Sequence, residues 1–357
     1  MATIEPYTLK SGATRYRVRY IKPDDRKPTD KRGFKSKKEA SKWMAKNSVA
    51  IQDGKWRPES AGNVSLNSVA RAWLDSKLRL AENTKSAYES SLKHIADVNN
   101  FGAMKIKAIR PVHVEAWVKA LGQQVKPKTL KNSYNVLHAV MKRAVRDNLI
   151  PSSPCVDIEL PRVEKEEQIF LDAQQVRALA DAAGEYSDII WVLALAGLRW
   201  GELAGLQPRD VDLKKQRLHI QRQMTDNGGR IIEKLPKHDK KRFVPLAAKL
   251  EPILQERMAG KKRDELLFTT SRGTVLRGGN AQRDWFGEAV KAIGEPDLRP
   301  HGLRHTFASL AISAGANIKA LQAALGHHSV SFTLDQYGHL YPDDSTSFIN
   351  AMNTRFA

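Results

Sequence analysis

The sequence predicts a multidomain α+β protein, with a small N-terminal ββ(β)α domain, an all-helical domain, and a mainly helical C-terminal domain holding a small antiparallel sheet. Three observations carry this. Apolar and polar residues alternate strictly over 14–20, the period of a half-buried strand. Apolar residues recur at helical spacing through residues 64–155. At 357 residues the chain exceeds one ordinary domain, and its punctuation suggests boundaries at 1–60, 64–160, a linker over 161–168, 169–341, and a tail over 342–357.

The first strand places Arg15, Arg17 and Arg19 on one face and Tyr16, Val18 and Tyr20 on the other. A second strand is expected around Lys31 to Phe34. Ser36 to Glu39 then forms a capping box that opens a helix bearing Ala40, Trp43, Met44 and Ile51 and closing near Gly54. Between 64 and 155, Tyr88, Leu92 and Ile95 share a helix face, as do Tyr134, Leu137, Met141 and Ala144, with Thr129 as a start signal and Pro151 and Pro154 as stops. Lys85, Lys93, Lys126, Lys128 and Lys131 surround these stripes.

In the C-terminal half, Ile189 to Leu198 is an apolar helix ended by Gly197, with a second helix starting near Trp200. An arginine at the end of such a run needs an acidic partner or an anionic ligand, and Glu202 follows Arg199 by one helical turn. Ile231 to Leu235 and Arg242 to Leu246 read as strands, with Pro236 to Lys241 as the hairpin loop between them. Pro300 precedes a helix whose first turn carries His301 and Arg304 on one face, while Leu303, Phe307 and Leu310 anchor the other. His305 reads as a hydrogen-bonded structural histidine. In the tail, Phe348, Ile349, Met352 and Phe356 fall close to helical spacing.

Composition points to a polyanionic partner. The chain has 59 Lys and Arg against 39 Asp and Glu, a net charge of +20. Residues 1–60 hold 16 basic and 7 acidic side chains and residues 61–163 hold 16 and 8, whereas 164–357 hold 27 and 24. Polyanion grip is thus concentrated ahead of the residues with chemical potential. A single cysteine, Cys155, excludes an intramolecular disulfide and suits a reducing cytoplasm. No secretory signal is visible, and the longest apolar run, ten residues, is too short to span a bilayer.

Arg199, Lys237, His301, Arg304, His327 and Tyr337 together would suit attack on a phosphodiester without a metal. The attacked phosphorus gathers negative charge on two non-bridging oxygens, which guanidinium forks can hold bidentately. No carboxylate cluster or phosphate-binding glycine loop is evident in this region.

Four segments carry a resemblance: Ala-Gly-Leu-Arg-Trp-Gly-Glu-Leu at 196–203, His-Gly-Leu-Arg-His-Thr-Phe-Ala at 301–308, Leu-Gly-His-His-Ser at 325–329, and Leu-Asp-Gln-Tyr-Gly-His-Leu at 334–340. In this order they resemble the tyrosine recombinases, specifically phage-type integrases. The resemblance implies the tyrosine recombinase catalytic fold, Arg199 and Arg304 as phosphate clamps, Glu202 supporting the first of them, His301 and His327 as phosphate contacts, and Tyr337 as the nucleophile of a 3′-phosphotyrosyl link. It also implies a lysine general acid between the two strands. Counting back from Arg242 favours Lys237 over Lys240 or Lys241. By the same resemblance, residues 1–60 are an arm-type DNA-binding domain using Arg15, Arg17 and Arg19, and 64–160 a SAM-like core-binding domain using Lys85 and Lys131.

The implied partners are double-stranded DNA attachment sites, a homotetramer on synapsed DNA, a directionality factor and a host DNA-bending protein, in a bacterial cytoplasm on the nucleoid and with no membrane or cofactor. The tail is expected to pack on its own domain or on a neighbouring protomer. Other readings are a non-catalytic DNA-binding regulator, a type IB topoisomerase, and a zinc hydrolase built on His301 and His305.

Overall fold

A computed structural model describes residues 2–58, 60–164, 167–236, 241–341 and 345–356. The chain divides into two compact units, residues 1–165 and 166–357. The first opens with an antiparallel sheet of β1 (Thr3–Thr8), β2 (Thr14–Ile21) and β3 (Pro28–Phe34), so the optional third strand lies at the N-terminal edge. Val18 and Phe34 pack against Ala40, Trp43 and Met44 of α1 (Lys37–Gln52). Ser36 caps that helix by accepting a hydrogen bond from the Glu39 backbone N–H.

The arginine face of β2 is not wholly free. Glu5 stands opposite Arg17 in the ladder and accepts two hydrogen bonds from it, at 3.1 and 2.8 Å, while Arg19 reaches the same carboxylate at 3.4 Å. Asp30 of β3 lies 3.7 Å from Arg17. Alternation within β2 located the face, but the acids that partly neutralise it come from neighbouring strands.

The rest of this unit is helical, with α2 (Leu66–Asp75), α3 (Glu82–Asp97), α4 (Pro111–Gly122) and α5 (Pro127–Arg146) enclosing one core. Trp117 lies at its centre, stacked on Phe101 at 5.9 Å, with its indole N–H bonded to the His94 carbonyl at 3.1 Å. Burying an aromatic of this size is worth on the order of 3 kcal/mol. The start of α5 differs from expectation. Pro127 occupies the first helical position, where its missing N–H costs nothing, and Thr129 falls inside the first turn. Lys85, Lys93, Lys126, Lys128 and Lys131 are all exposed.

The second unit begins with α6 (Ala173–Ala182), α7 (Ser187–Ala196) and α8 (Trp200–Ala204). Five short strands follow: β4 (Val211–Asp212), β5 (Arg217–Ile220), β6 (Gln223–Asn227), β7 (Arg230–Lys234) and β8 (Arg242–Pro245). Then come α9 (Leu250–Met258), α10 (Gly278–Ala281), α11 (Gly287–Ala292), α12 (Gly302–Ser313), α13 (Ile318–Leu325), α14 (Val330–Tyr337) and α15 (Ser345–Phe356).

Both strands expected around residue 237 exist, but they do not pair with each other. β7 pairs with β6 and β8 pairs with β5, so the intervening segment joins two sheets rather than closing a hairpin. The competing turn is Gly228–Gly229, both at positive φ, which matches the twist of a tight two-residue hairpin. On α15, Ile349, Met352 and Phe356 are exposed. No described helix is long and apolar enough to cross a membrane.

Candidate active site

The apolar helix α7 sets the site's first anchor. Ile189, Ile190, Val192, Leu193, Ala194 and Ala196 are all buried, and Gly197 ends the helix in the left-handed region at φ 60°. A Cβ at Gly197 would lie 2.3 Å from the Phe307 ring, so glycine is required both by the turn and by the close approach of α12. The chain then extends through Arg199, which precedes α8, and Glu202 one turn later folds back onto it.

Glu202 organises the charges. Its fully buried carboxylate accepts from the Arg199 backbone N–H and from Arg199 Nη1, each at 2.9 Å. Arg242, the first residue of β8, donates to both carboxylate oxygens at 2.8 Å. Burial alone would raise this carboxyl, but the hydrogen bonds and charge of Arg242, and then the charge of Arg199, hold it at about 2. Arg242 also donates through Nε to the Ala324 carbonyl at 2.7 Å.

Arg304, on the first turn of α12, is almost wholly buried. It donates Nη1 to the Gly197 carbonyl at 2.7 Å and Nη2 to the Leu325 carbonyl. These are carbonyls at helix C-termini, which have no partner within their own helix and carry partial negative charge. Burial, then the charge of Arg199, lowers Arg304 to about 9, which leaves it protonated at neutral pH.

The imidazoles and the phenol complete the cluster. His301 precedes α12 at an exposed position, and its ring meets that of His305 edge-on at 5.2 Å. Desolvation by the wall behind it, then His305 and Arg304, depress its pKa. His327 follows α13, shares a hydrogen bond between Nδ1 and Thr333 Oγ1 at 3.0 Å, and is lowered to about 3 by burial and then Arg304. Tyr337 ends α14 with 1% of its surface exposed, packed with Ala308, Ile312, Leu321 and Leu325. Its hydroxyl is hydrogen-bonded to His305 Nδ1 at 2.8 Å, and burial raises its pKa while Arg304 opposes the rise.

Of the residues expected to act together, the fold gathers Arg199, Glu202, His301, Arg304, His327 and Tyr337 around the start of α12. Lys237 lies outside the described residues. Arg15, Arg17, Arg19, Lys85 and Lys131 belong to the other unit. Two contributors were not assigned from sequence. Arg242 lies two residues before the fully buried Val244, and strand alternation places both on one face. That signal was present but was read only as strand register. His305 is hydrogen-bonded as expected, but to the phenol. Among the described residues no three His, Cys, Asp or Glu side chains are grouped as a metal site would need.

Comparison with known proteins agrees with this geometry. Residues 169–343 match the phage integrase family, 8–51 an arm DNA-binding domain, and 65–122 the N-terminal SAM-like domain of phage integrases. The integrase of Mycobacterium phage D29 is 28% identical over 337 residues, covering 90% of this chain and 88% of its own length. A XerC-like tyrosine recombinase of Caldanaerobacter subterraneus subsp. tengcongensis is 27% identical over 387 residues, covering 98% of each. In fold, the chain resembles the Tn1549 transposon integrase solved with circular intermediate DNA, at a TM-score of 0.69 and 21% identity over 82% of this chain and 99% of that one. It also resembles the lambda integrase solved as a tetramer on a Holliday junction, at 0.62 and 19% over 91% and 96%. With these matches spread over all its domains, the chain belongs to the phage integrase family and is a tyrosine-type site-specific DNA recombinase.

Proposed function

We propose that the chain cuts and rejoins DNA strands through a 3′-phosphotyrosyl intermediate on Tyr337. The observation that carries this reading is the buried Arg304, held with Arg199 and Glu202 in one charge network close to the Tyr337 phenol. Arg199 and Arg304 bind the non-bridging oxygens of the scissile phosphate, and His301 and His327 donate to the same group. With Nδ1 of His327 engaged by Thr333, Nε2 is the nitrogen left for substrate. The phenolic oxygen attacks phosphorus, the bond to the 5′ oxygen breaks, and Lys237, on the strength of its sequence position, protonates that oxygen. The phosphotyrosyl ester retains the energy of the broken bond, so rejoining needs no nucleotide.

Residues 1–60 then bind DNA arms distant from the crossover, and the exposed lysines of 64–160, Lys85 and Lys131 among them, grip the core site. Exposed Ile349, Met352 and Phe356 on α15 supply an apolar face that docks on a neighbouring protomer, in a homotetramer on synapsed DNA. The reaction moves a phage genome or other mobile element into and out of a bacterial nucleoid, aided by a directionality factor and a DNA-bending protein.

The test is incubation with a nicked duplex carrying the recombination site, in EDTA. A covalent protein–DNA adduct should form and map to Tyr337, and Tyr337→Phe should bind the same DNA without forming it. An adduct of normal yield in Tyr337→Phe would refute the assignment.

A further inference from the structure

The Tyr337 hydroxyl makes one hydrogen bond among the described residues, and its partner is His305 Nδ1. We propose that His305 is a catalytic residue, the base that takes the Tyr337 proton as the phenolic oxygen bonds to phosphorus. The proposal rests on Tyr337 being the nucleophile and adds where its proton goes.

A neutral phenol is a poor nucleophile, and burial here opposes its ionisation in advance of attack. The proton must therefore leave during attack, to a group already in contact. At 2.8 Å, His305 Nδ1 is within direct transfer distance. Burial, then the adjacent Arg304 charge, keeps this imidazole neutral at neutral pH, so Nδ1 can present its lone pair while Nε2 carries the hydrogen.

Neither other histidine is placed for the task. The His327 ring lies nearly parallel to the Tyr337 ring, at 10° and 6.3 Å between centroids, with Nδ1 engaged by Thr333. His301 touches the pair only through the edge of the His305 ring.

The step balances. The phosphorus–Tyr337 oxygen bond forms as the phenolic O–H breaks and its proton passes to Nδ1. The phosphorus–5′ oxygen bond breaks, and its electron pair stays on the oxygen, which is protonated separately by the general acid. In rejoining, the 5′ hydroxyl attacks phosphorus and gives its proton back to the deprotonated general acid, the phosphorus–Tyr337 oxygen bond breaks, and the departing phenolate recovers its proton from His305. An imidazolium beside Arg304 is an unfavourable state, which favours that return and keeps the cycle reversible.

The charged and titratable groups around His305 are Arg304 and His301 from the same helix region, His327 from beyond α13, and Tyr337 from α14. Any pH profile must be read against all four.

The experiment is single-turnover adduct formation on two nicked substrates, one ordinary and one with a bridging sulfur at the scissile 5′ position, whose thiolate leaves without a proton. The proteins are wild type, His305→Asn, which keeps a polar acceptor without comparable basicity, and His305→Phe, with DNA binding and circular dichroism confirming fold. The base role predicts that both variants bind DNA normally and form adduct about 100-fold more slowly on either substrate. Their rates should also climb with rising pH where wild type levels off.

Near-wild-type rates in His305→Asn would overturn the proposal, and so would faster rates, which would mark the bond as a resting latch. Recovery on the sulfur substrate would overturn it too, because it would place His305 on the leaving-group side. A wild-type adduct at a residue other than Tyr337 removes the parent reading, whereas a normal Tyr337 adduct in His305→Asn removes this step alone.

Discussion

Replacing Glu202 by Gln takes one negative charge from beneath two guanidiniums while leaving side-chain volume almost unchanged. The carboxylate accepts four hydrogen bonds, two from Arg199 and two from Arg242, whereas glutamine offers one acceptor oxygen and turns its amide hydrogens toward other donors. The folded carboxyl is held at about 2 against an ordinary 4.5. That gap corresponds to about 3 kcal/mol of native-state stability. Because the folded value is depressed, the contribution is complete above 4.5 and is lost as pH falls toward 2. By pH 3.5 roughly 40% of it should be gone. For a domain of this size, 3 kcal/mol is about 6–12 °C in melting temperature. Calorimetry of wild type and Glu202→Gln should therefore show a drop in that range at pH 7 and roughly 60% of it at pH 3.5. A drop below about 2 °C at pH 7, or an equal drop at both pH values, would refute the view that this carboxylate is ionised and central to the network.

Arg304→Lys should bind recombination-site DNA but form adduct about 100- to 1000-fold more slowly, because an ammonium is a point charge and cannot serve two carbonyls and a phosphate fork together; near-normal cleavage would count against the clamp. Deleting the N-terminal sheet and helix should spare cleavage of an isolated core site, abolish integration that depends on distant arms, and flatten the salt dependence of binding by about one unit of log–log slope per phosphate contact removed. The cut belongs after Gln52, because Arg57 and the Trp56 carbonyl are both hydrogen-bonded to Asn148. Unimpaired integration by this truncated chain would reject the arm assignment.

The residues proposed to act on DNA could be picked out in the sequence because each lies within a short contiguous pattern whose local geometry is nearly self-determined. The apolar run into Gly197 predicts both the end of α7 and an Arg199 in need of an acidic partner, and Pro300 predicts the helix that carries Arg304. What escaped was non-local. Arg242 is 40 residues from Glu202, and His305 is 32 from Tyr337, distances at which periodicity is silent. The strand pairing around residue 237 failed for a different, local reason. Both strands were recognised by composition, but Asn227-Gly228-Gly229 was the stronger turn signal and gave β7 to β6.

The network also explains how so much positive charge is tolerated in a buried site, and what it is suited to hold. Arg304 is compensated by carbonyls at the ends of α7 and α13, and Arg242 by the end of α13 together with Glu202. These partial charges permit burial without cancelling the cations as a second carboxylate would. Arg199 and Arg242 therefore share the Glu202 carboxylate while Arg304 is bonded to carbonyls, leaving a surplus near two positive charges before any lysine is added. A resting phosphodiester carries one negative charge, whereas the five-coordinate species formed under attack approaches two. An array with this surplus, fixed in place before substrate arrives, binds that species more strongly than the ground state, which is the condition for binding energy to appear as rate.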